Sequence, residues 1–258
     1  MKQYIVDAFT DKIFSGNPAA VCVLDSFLCE DILQSIAAEN NLSETAFVIK
    51  DNDRYHIRWF TPKSEIDFCG HATLATAVVL FNYYAQEADT LKLCGQIGEF
   101  TVHKTGELIK MEFPAYKLEH IEITDMMIEA LGTIPLAAYK DRDILFVLRD
   151  EDEVYDLQPD MELISKLDGA CVAVTAKGRE YDCVSRVFAP RYGMNEDPVT
   201  GSTHCMIAPY WSRRLNKPDI TAFQASERTG ILYCECVGDK VIVSGKAVLF
   251  SINDIVAF

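Results

Sequence analysis

The sequence has no apolar run long enough to cross a bilayer as a helix. Its longest, such as Ala72 to Phe81, fall far short of the roughly 20 residues required. An apolar leader is also missing, because Asp7 and Asp11 interrupt the N-terminal stretch, so no export signal is read there. Positive charge is scarce: 24 Lys and Arg face 39 Asp and Glu, for a net charge of −15. That balance repels phosphate backbones, and no basic aromatic stripe offsets it, so neither nucleic acid nor a membrane is an expected partner. The nine cysteines are odd in number and lack paired spacing, which argues for reduced thiols and a cytoplasmic protein rather than a disulfide framework. Cys22, Cys171 and Cys183 read as small core residues. Zinc-type ligand spacing is absent as well; Cys69-Gly70-His71, His204-Cys205 and Cys234-Glu235-Cys236 come nearest and fit no usual pattern, so no metal is expected. Without a dinucleotide or phosphate-loop glycine pattern, no nucleotide cofactor is expected either.

What is present is an ordinary globular composition, 49% hydrophobic over 258 residues, enough for one large or two smaller domains with a sizeable core. Alternation predicts strands at Gln3 to Ala8, Ala19 to Leu24, Thr45 to Lys50 and Tyr55 to Phe60. Leu28, Ile32, Leu33, Ile36 and Ala37 recur at helical spacing, and Asn40-Asn41 ends that helix. Gly70 to Tyr84 is apolar on nearly every side, the signature of a helix enclosed by sheet. Beyond Pro114 the composition shifts, and the division falls between 1–117 and 118–258, with the last strand, from Ala247, free to pack back on the first domain. In the second part, Ile144 to Leu148, Ala170 to Thr175 and Cys183 to Phe188 read as strands. Pro159 to Leu167 reads as a short helix with proline in its first turn, and Arg149 to Glu153 as a solvated acidic loop. A further helix is expected to open at Gly201 and to kink or restart at Pro209.

The sequence also repeats itself. Arg58-Trp59-Phe60-Thr61-Pro62 is followed by acids and Gly70-His71-Ala72-Thr73; Arg186-Val187-Phe188-Ala189-Pro190 is followed by acids and Gly201-Ser202-Thr203-His204. One indel in the loop separates the copies. Two helix N-termini of this kind, each offering unpaired backbone N–H groups and a partial positive charge, are expected to converge on one cleft that takes an anionic small molecule.

Those starts gather four chemically useful side chains: Glu44 and His71 from the first copy, Asp197 and Ser202 from the second. A carboxylate beside an apolar wall can take a carbon-bound proton and return it elsewhere, which is acid–base catalysis without a cofactor. Read singly, each has a plain structural job. Glu44 fits a capping or surface carboxylate, His71 a cap on its own helix, Asp197 a turn before proline and Ser202 an N-cap. The repeat is what gives them a common address.

Asn41-Leu42-Ser43-Glu44-Thr45, Cys69-Gly70-His71-Ala72-Thr73 and Glu196-Asp197-Pro198-Val199-Thr200-Gly201-Ser202-Thr203-His204 resemble, in order, the three signatures of the PhzF-like (phenazine biosynthesis F-type) isomerases. Val6-Asp7-Ala8-Phe9, Gly16-Asn17-Pro18-Ala19, Gln224 and Ser226-x-Arg228-x-Gly230 extend the resemblance along the chain. It implies an α/β (α+β) fold of two similar domains, each a curved, barrel-like sheet around a central helix, in the pseudo-twofold duplication of diaminopimelate epimerase. It further implies Glu44 as the proton shuttle, His71 and Asp197 as groups that orient substrate and assist, and Gly70, Ala72, Gly201, Ser202 and Thr203 as the substrate cradle. The implied reaction is a cofactor-independent isomerisation of a small carboxylate-bearing, cyclic or unsaturated amino-acid-like substrate, and the implied assembly is a homodimer.

Other activities fit less well. A two-base racemase or epimerase needs a thiol on each face of its substrate; Cys69 supplies one, but Thr200 occupies the equivalent place in the second copy and Cys205 lies deeper in the helix. A catalytically silent binder would have no need of Glu44, His71, Asp197 and Ser202 together. Ser202 is not in a Gly-x-Ser-x-Gly elbow, which leaves serine hydrolysis without support.

Overall fold

The computed structural model describes residues 1–256 and divides the chain into two compact units, Met1–Glu112 with the chain from Ser244 onward, and Phe113–Val243. In chain order the first contributes β1 (Lys2–Ala8), β2 (Asn17–Leu24), α1 (Glu30–Asn40), β3 (Glu44–Asp51), β4 (Arg54–Phe60), β5 (Glu65–Ile66), α2 (Gly70–Tyr83), β6 (Thr90–Gly95), β7 (Gly98–Thr105) and β8 (Leu108–Pro114). The second contributes β9 (Glu119–Ile121), α3 (Asp125–Leu131), β10 (Ala137–Lys140), β11 (Ile144–Val147), α4 (Glu151–Asp156), α5 (Met161–Lys166), β12 (Val172–Lys177), β13 (Cys183–Ala189), β14 (Met194–Glu196), α6 (His204–Leu215), β15 (Asp219–Gln224), β16 (Gly230–Val237) and β17 (Lys240–Gly245). The chain then re-enters the first unit as β18 (Ala247–Asp254), antiparallel to β1.

In the first unit α2 is buried at every position from Gly70 to Ala77 and packs against β1, β2, β3 and β18, so it is the enclosed helix that its all-round apolarity predicts. Burial of Leu74, Leu80 and Phe81 stabilises this arrangement by about 1.5–3 kcal/mol per side chain. The strand order explains how the enclosure forms. β1–β2 is antiparallel, β2–β3 parallel across α1, β3–β4 and β4–β5 antiparallel, β4–β6 parallel across α2, and β6–β7 antiparallel. The second unit repeats that series step for step: β10–β11, β11–β12, β12–β13, β13–β14, β13–β15 and β15–β16 have the same senses in the same order.

The repeated motif keeps its contacts too. Arg58 forks onto Glu65 at 2.7 and 2.6 Å and lies over the Phe60 ring; Arg186 forks onto Glu196 at 2.8 and 2.9 Å and lies over Phe188. In each copy that glutamate sits opposite the phenylalanine in the short hairpin. The indel is the turn at Pro190–Tyr192, closed by Gly193 at φ 88°, where the left-handed backbone suits glycine.

Four local expectations are corrected. The last helix opens at His204, not Gly201; Gly201 to Thr203 form a turn whose carbonyls accept i+3 bonds from His204, Cys205 and Met206. Pro209 does not restart α6, which runs unbroken through it, and the Cys205 carbonyl it strips of a helical donor accepts from the Tyr116 N–H at 2.9 Å. The acidic run after Arg149 is a helix start: Asp150 accepts from Glu153 N–H as the N-cap of α4, and the acids that follow lie at the positive end of the helix dipole. Pro159 precedes α5 rather than entering its first turn, since Asp160 is the N-cap and accepts from Glu162 and Leu163.

Candidate active site

In the first unit, local chain geometry delivers three elements to one point. Gly16 has φ +71°, and a Cβ there would sit 2.2 Å from the Ala8 carbonyl oxygen, so only glycine makes the turn that presents Asn17 at the head of β2. Asn41, left-handed at φ 49°, stops α1 and turns the chain so that Glu44 begins β3. The parallel ladder sets Glu44 opposite Ala19, two residues beyond Asn17. His71 arrives from the first turn of α2. The first hydrogen bond of that helix runs from Thr73 N–H to the Cys69 carbonyl, so the amides of Gly70, His71 and Ala72 lie ahead of the helical ladder.

The result is a compact polar cluster in an apolar shell. Glu44 is 8% exposed and His71 5%. Glu44 Oε2 lies 2.9 Å from His71 Nε2. The contact is off the alignment of a hydrogen bond, and neither atom has another hydrogen-bond partner among the described residues. On the other side of the ring, Nδ1 is 3.2 Å from Asn17 Nδ2 and 3.4 Å from Cys69 Sγ. Burial resists a charge on His71, but the Glu44 carboxylate beside it opposes that resistance, and the imidazole is held above its ordinary value. Burial, reinforced by Glu44, pushes the Cys69 thiol up, against the weaker pull of His71 and the Ala72 amide. Cys69 is therefore a protonated, packed thiol.

Donor atoms of Glu44, Cys69 and His71 fall within 4.8 Å of one another, near enough to consider a cation. They do not close around one point, however: the thiol faces Nδ1 and the carboxylate faces Nε2, on opposite edges of the ring. The arrangement suits proton handling better than ligation.

The second unit holds the other predicted residues in a braced loop. Asp197, 9% exposed, follows β14, and its Oδ2 accepts from the Thr200 hydroxyl at 2.5 Å. Gln224, at the end of β15, clamps the loop from both sides: its amide donates to the Asp197 carbonyl at 2.7 Å and accepts from Thr200 N–H at 2.9 Å. Ser226 donates to the Pro198 carbonyl. Gly201 is buried in the turn that follows, and the half-buried Ser202 hydroxyl makes no hydrogen bond among the described residues. The cap of α6 is Thr203, not Ser202, and Thr203 spends its hydroxyl on buried Asp143 Oδ2 at 2.8 Å and its carbonyl on Met206 and Ile207, which leaves its backbone N–H for a ligand. Ala72 is likewise fully buried and can offer only its amide.

Structure thus groups Glu44, Gly70, His71 and Ala72 in one unit, and Asp197, Gly201, Ser202 and Thr203 in the other. Three polar members were not singled out from the sequence. Asn17 stood in a quoted pattern, but its contact with His71 depends on the β2–β3 register. Thr200 and Asp143 act through hydrogen bonds that residue type alone does not signal.

Comparison with known proteins follows this geometry. The profile of the phenazine biosynthesis-like protein family (PhzC-PhzF) matches residues 6–252. An uncharacterized isomerase of Pseudomonas aeruginosa is 47% identical over 245 residues, covering 95% of each chain. Among solved structures, a PhzF family phenazine biosynthesis protein from Enterococcus faecalis superposes with a TM-score of 0.95 at 49% identity, covering 97% of both chains. A predicted epimerase of Pseudomonas aeruginosa superposes at 0.76 with 19% identity over 100% of this chain and 99% of its own, which shows the shared fold expected from the sequence.

Proposed function

The chain belongs to the phenazine biosynthesis-like (PhzC-PhzF) family, and on that premise we propose that it is a cofactor-independent isomerase in which Glu44 carries a proton between two carbons of its substrate. The observation that carries this reading is the buried Glu44–His71 contact at 2.9 Å, in which Glu44 Oε2 has no hydrogen bond among the described residues to hold it as a structural group. A carboxylate in that setting can accept a carbon-bound proton and give it back on the same face, with His71 beside it to orient the carboxyl group. The substrate is a small carboxylate-bearing, cyclic or unsaturated amino-acid-like molecule: the amides of Gly70, His71 and Ala72 ahead of the α2 ladder suit its carboxylate, and Asp197 has the charge to suit a cationic or hydroxyl group. Asp197, Gly201, Ser202 and the Thr203 backbone are assigned to this same reaction. All nine cysteines are free thiols, in keeping with a reducing compartment, and the cytoplasm is the proposed one.

Incubation of the protein in D2O with pooled cyclic and unsaturated amino acids, followed by mass spectrometry, tests the reaction class. A substrate that gains carbon-bound deuterium together with a shifted double bond supports the isomerase. Deuterium at an α-carbon accompanied by inversion would instead establish an epimerase.

A further inference from the structure

Three groups of the first unit surround the ring of His71. Glu44 Oε2 faces Nε2 at 2.9 Å, while Asn17 Nδ2 and Cys69 Sγ face Nδ1 at 3.2 and 3.4 Å. Asn17 is fully buried, as are the other three to within 8%. A neutral imidazole carries a single proton, and the groups beside its nitrogens decide which one holds it. Both neighbours of Nδ1 are donors, the amide N–H of Asn17 and the protonated thiol of Cys69. The neighbour of Nε2 is a carboxyl oxygen. A proton on Nδ1 would point at the amide hydrogens and leave the Nε2 lone pair against that oxygen.

We infer that Asn17 is a positioning residue: its side-chain amide donates to His71 Nδ1 and fixes the neutral ring as the Nε2–H tautomer, which puts the ring proton on the nitrogen 2.9 Å from Glu44 Oε2. His71 then meets Glu44 with a protonated nitrogen and not as a second base, because the ring nitrogen 2.9 Å from the carboxyl group already carries the proton. The left-handed Gly16 and the head of β2 have a functional consequence on this account, since they set the amide against the ring. The titratable groups facing the ring within the unit are Glu44 of β3 and Cys69 ahead of α2.

The inference rests on the assignment of Glu44 and His71 to proton transfer, but its test needs no substrate, so the two can fail separately. Long-range proton–nitrogen correlation spectra of 15N-histidine-labelled protein report each ring nitrogen, with His71 assigned by the signal lost in His71→Gln. Read at the alkaline end of a titration, wild type should show its proton on Nε2. Asn17→Asp replaces the donor with an acceptor and should raise the ionisation midpoint of His71 by about one unit or more. Proton on Nδ1, a ring doubly protonated up to the alkaline limit of folding, or an unmoved midpoint in folded Asn17→Asp would each overturn the inference. Should Asn17→Asp fail to fold, the wild-type spectrum alone decides.

Discussion

Thr73 and His204 fill the same place in the two copies, three residues after Gly70 and Gly201. Each bonds the carbonyl of the residue before its glycine: Thr73 donates to Cys69 at 2.6 Å, and His204 Nδ1 donates to Thr200 at 2.8 Å. In the second copy this structural bond carries a titratable ring, and burial pushes His204 down to about 4 from its ordinary 6.5. The folded chain therefore keeps the ring neutral where the unfolded chain would bind a proton. As pH falls from about 6.5 to about 4, unfolding gains a proton and His204 withdraws up to about 3 kcal/mol of stability; above 6.5 it has no effect. His204→Thr, which copies the first repeat, should flatten that part of the profile in melts from pH 7 to 4, and a slope equal to wild type would contradict the assignment. At this scale the sequence was legible where chemistry and position coincide, as at Glu44 and His71. It was opaque where a side chain's partner is set by register or a turn, as for Asn17 on His71 and Thr203 on Asp143.

The two helix openings show how far a repeat constrains an element. In α2 the glycine is the first helical residue, whereas in the second copy it begins a tight turn and α6 follows three residues later. Shared sequence predicted one geometry for both, but the Gln224 clamp and the Thr203–Asp143 bond tie the second opening into its loop. The expected restart at Pro209 fails for a similar reason. Its cost inside a helix, about 3 kcal/mol or more, comes largely from an orphaned carbonyl, and the strand-free segment at Tyr116 supplies the missing donor from far away in sequence. Pro209→Ala should change unfolding free energy by no more than about 1 kcal/mol in chemical denaturation. A gain approaching 3 kcal/mol would mean that the proline strains α6. By contrast, α1, α2 and the strands around them were legible because their apolar periodicity is local and uninterrupted.

Across the whole molecule, duplication accounts for the fold and divergence for the chemistry. Both units run the same series of strand pairings, but their carboxylates occupy different addresses. Register pairs Thr45 with Phe60 and Val172 with Phe188, so the counterpart of Glu44 is Cys171. Glu65 to Gly70 and Glu196 to Gly201 span equal lengths, so the counterpart of Asp197 is Ile66. One copy thus kept a carboxylate at a strand head and the other in a loop, a difference visible only once the ladders are known. The return of β18 to β1 commits the end of the described chain to the first unit. The homodimer implied by the family resemblance is a proposal at this scale; light scattering at micromolar concentration should give twice the chain mass, and a monomer mass throughout would contradict it.

The central claim is that Glu44 moves the proton. Glu44→Gln keeps the shape of the side chain and removes its ability to accept a proton, so it separates chemistry from fold. The decisive measurement is carbon-bound deuterium incorporated from D2O into the substrate by wild type and by Glu44→Gln of matched melting temperature. Incorporation by wild type with none above background in the variant is the predicted result. Equal incorporation by both would show that the proton travels by another group.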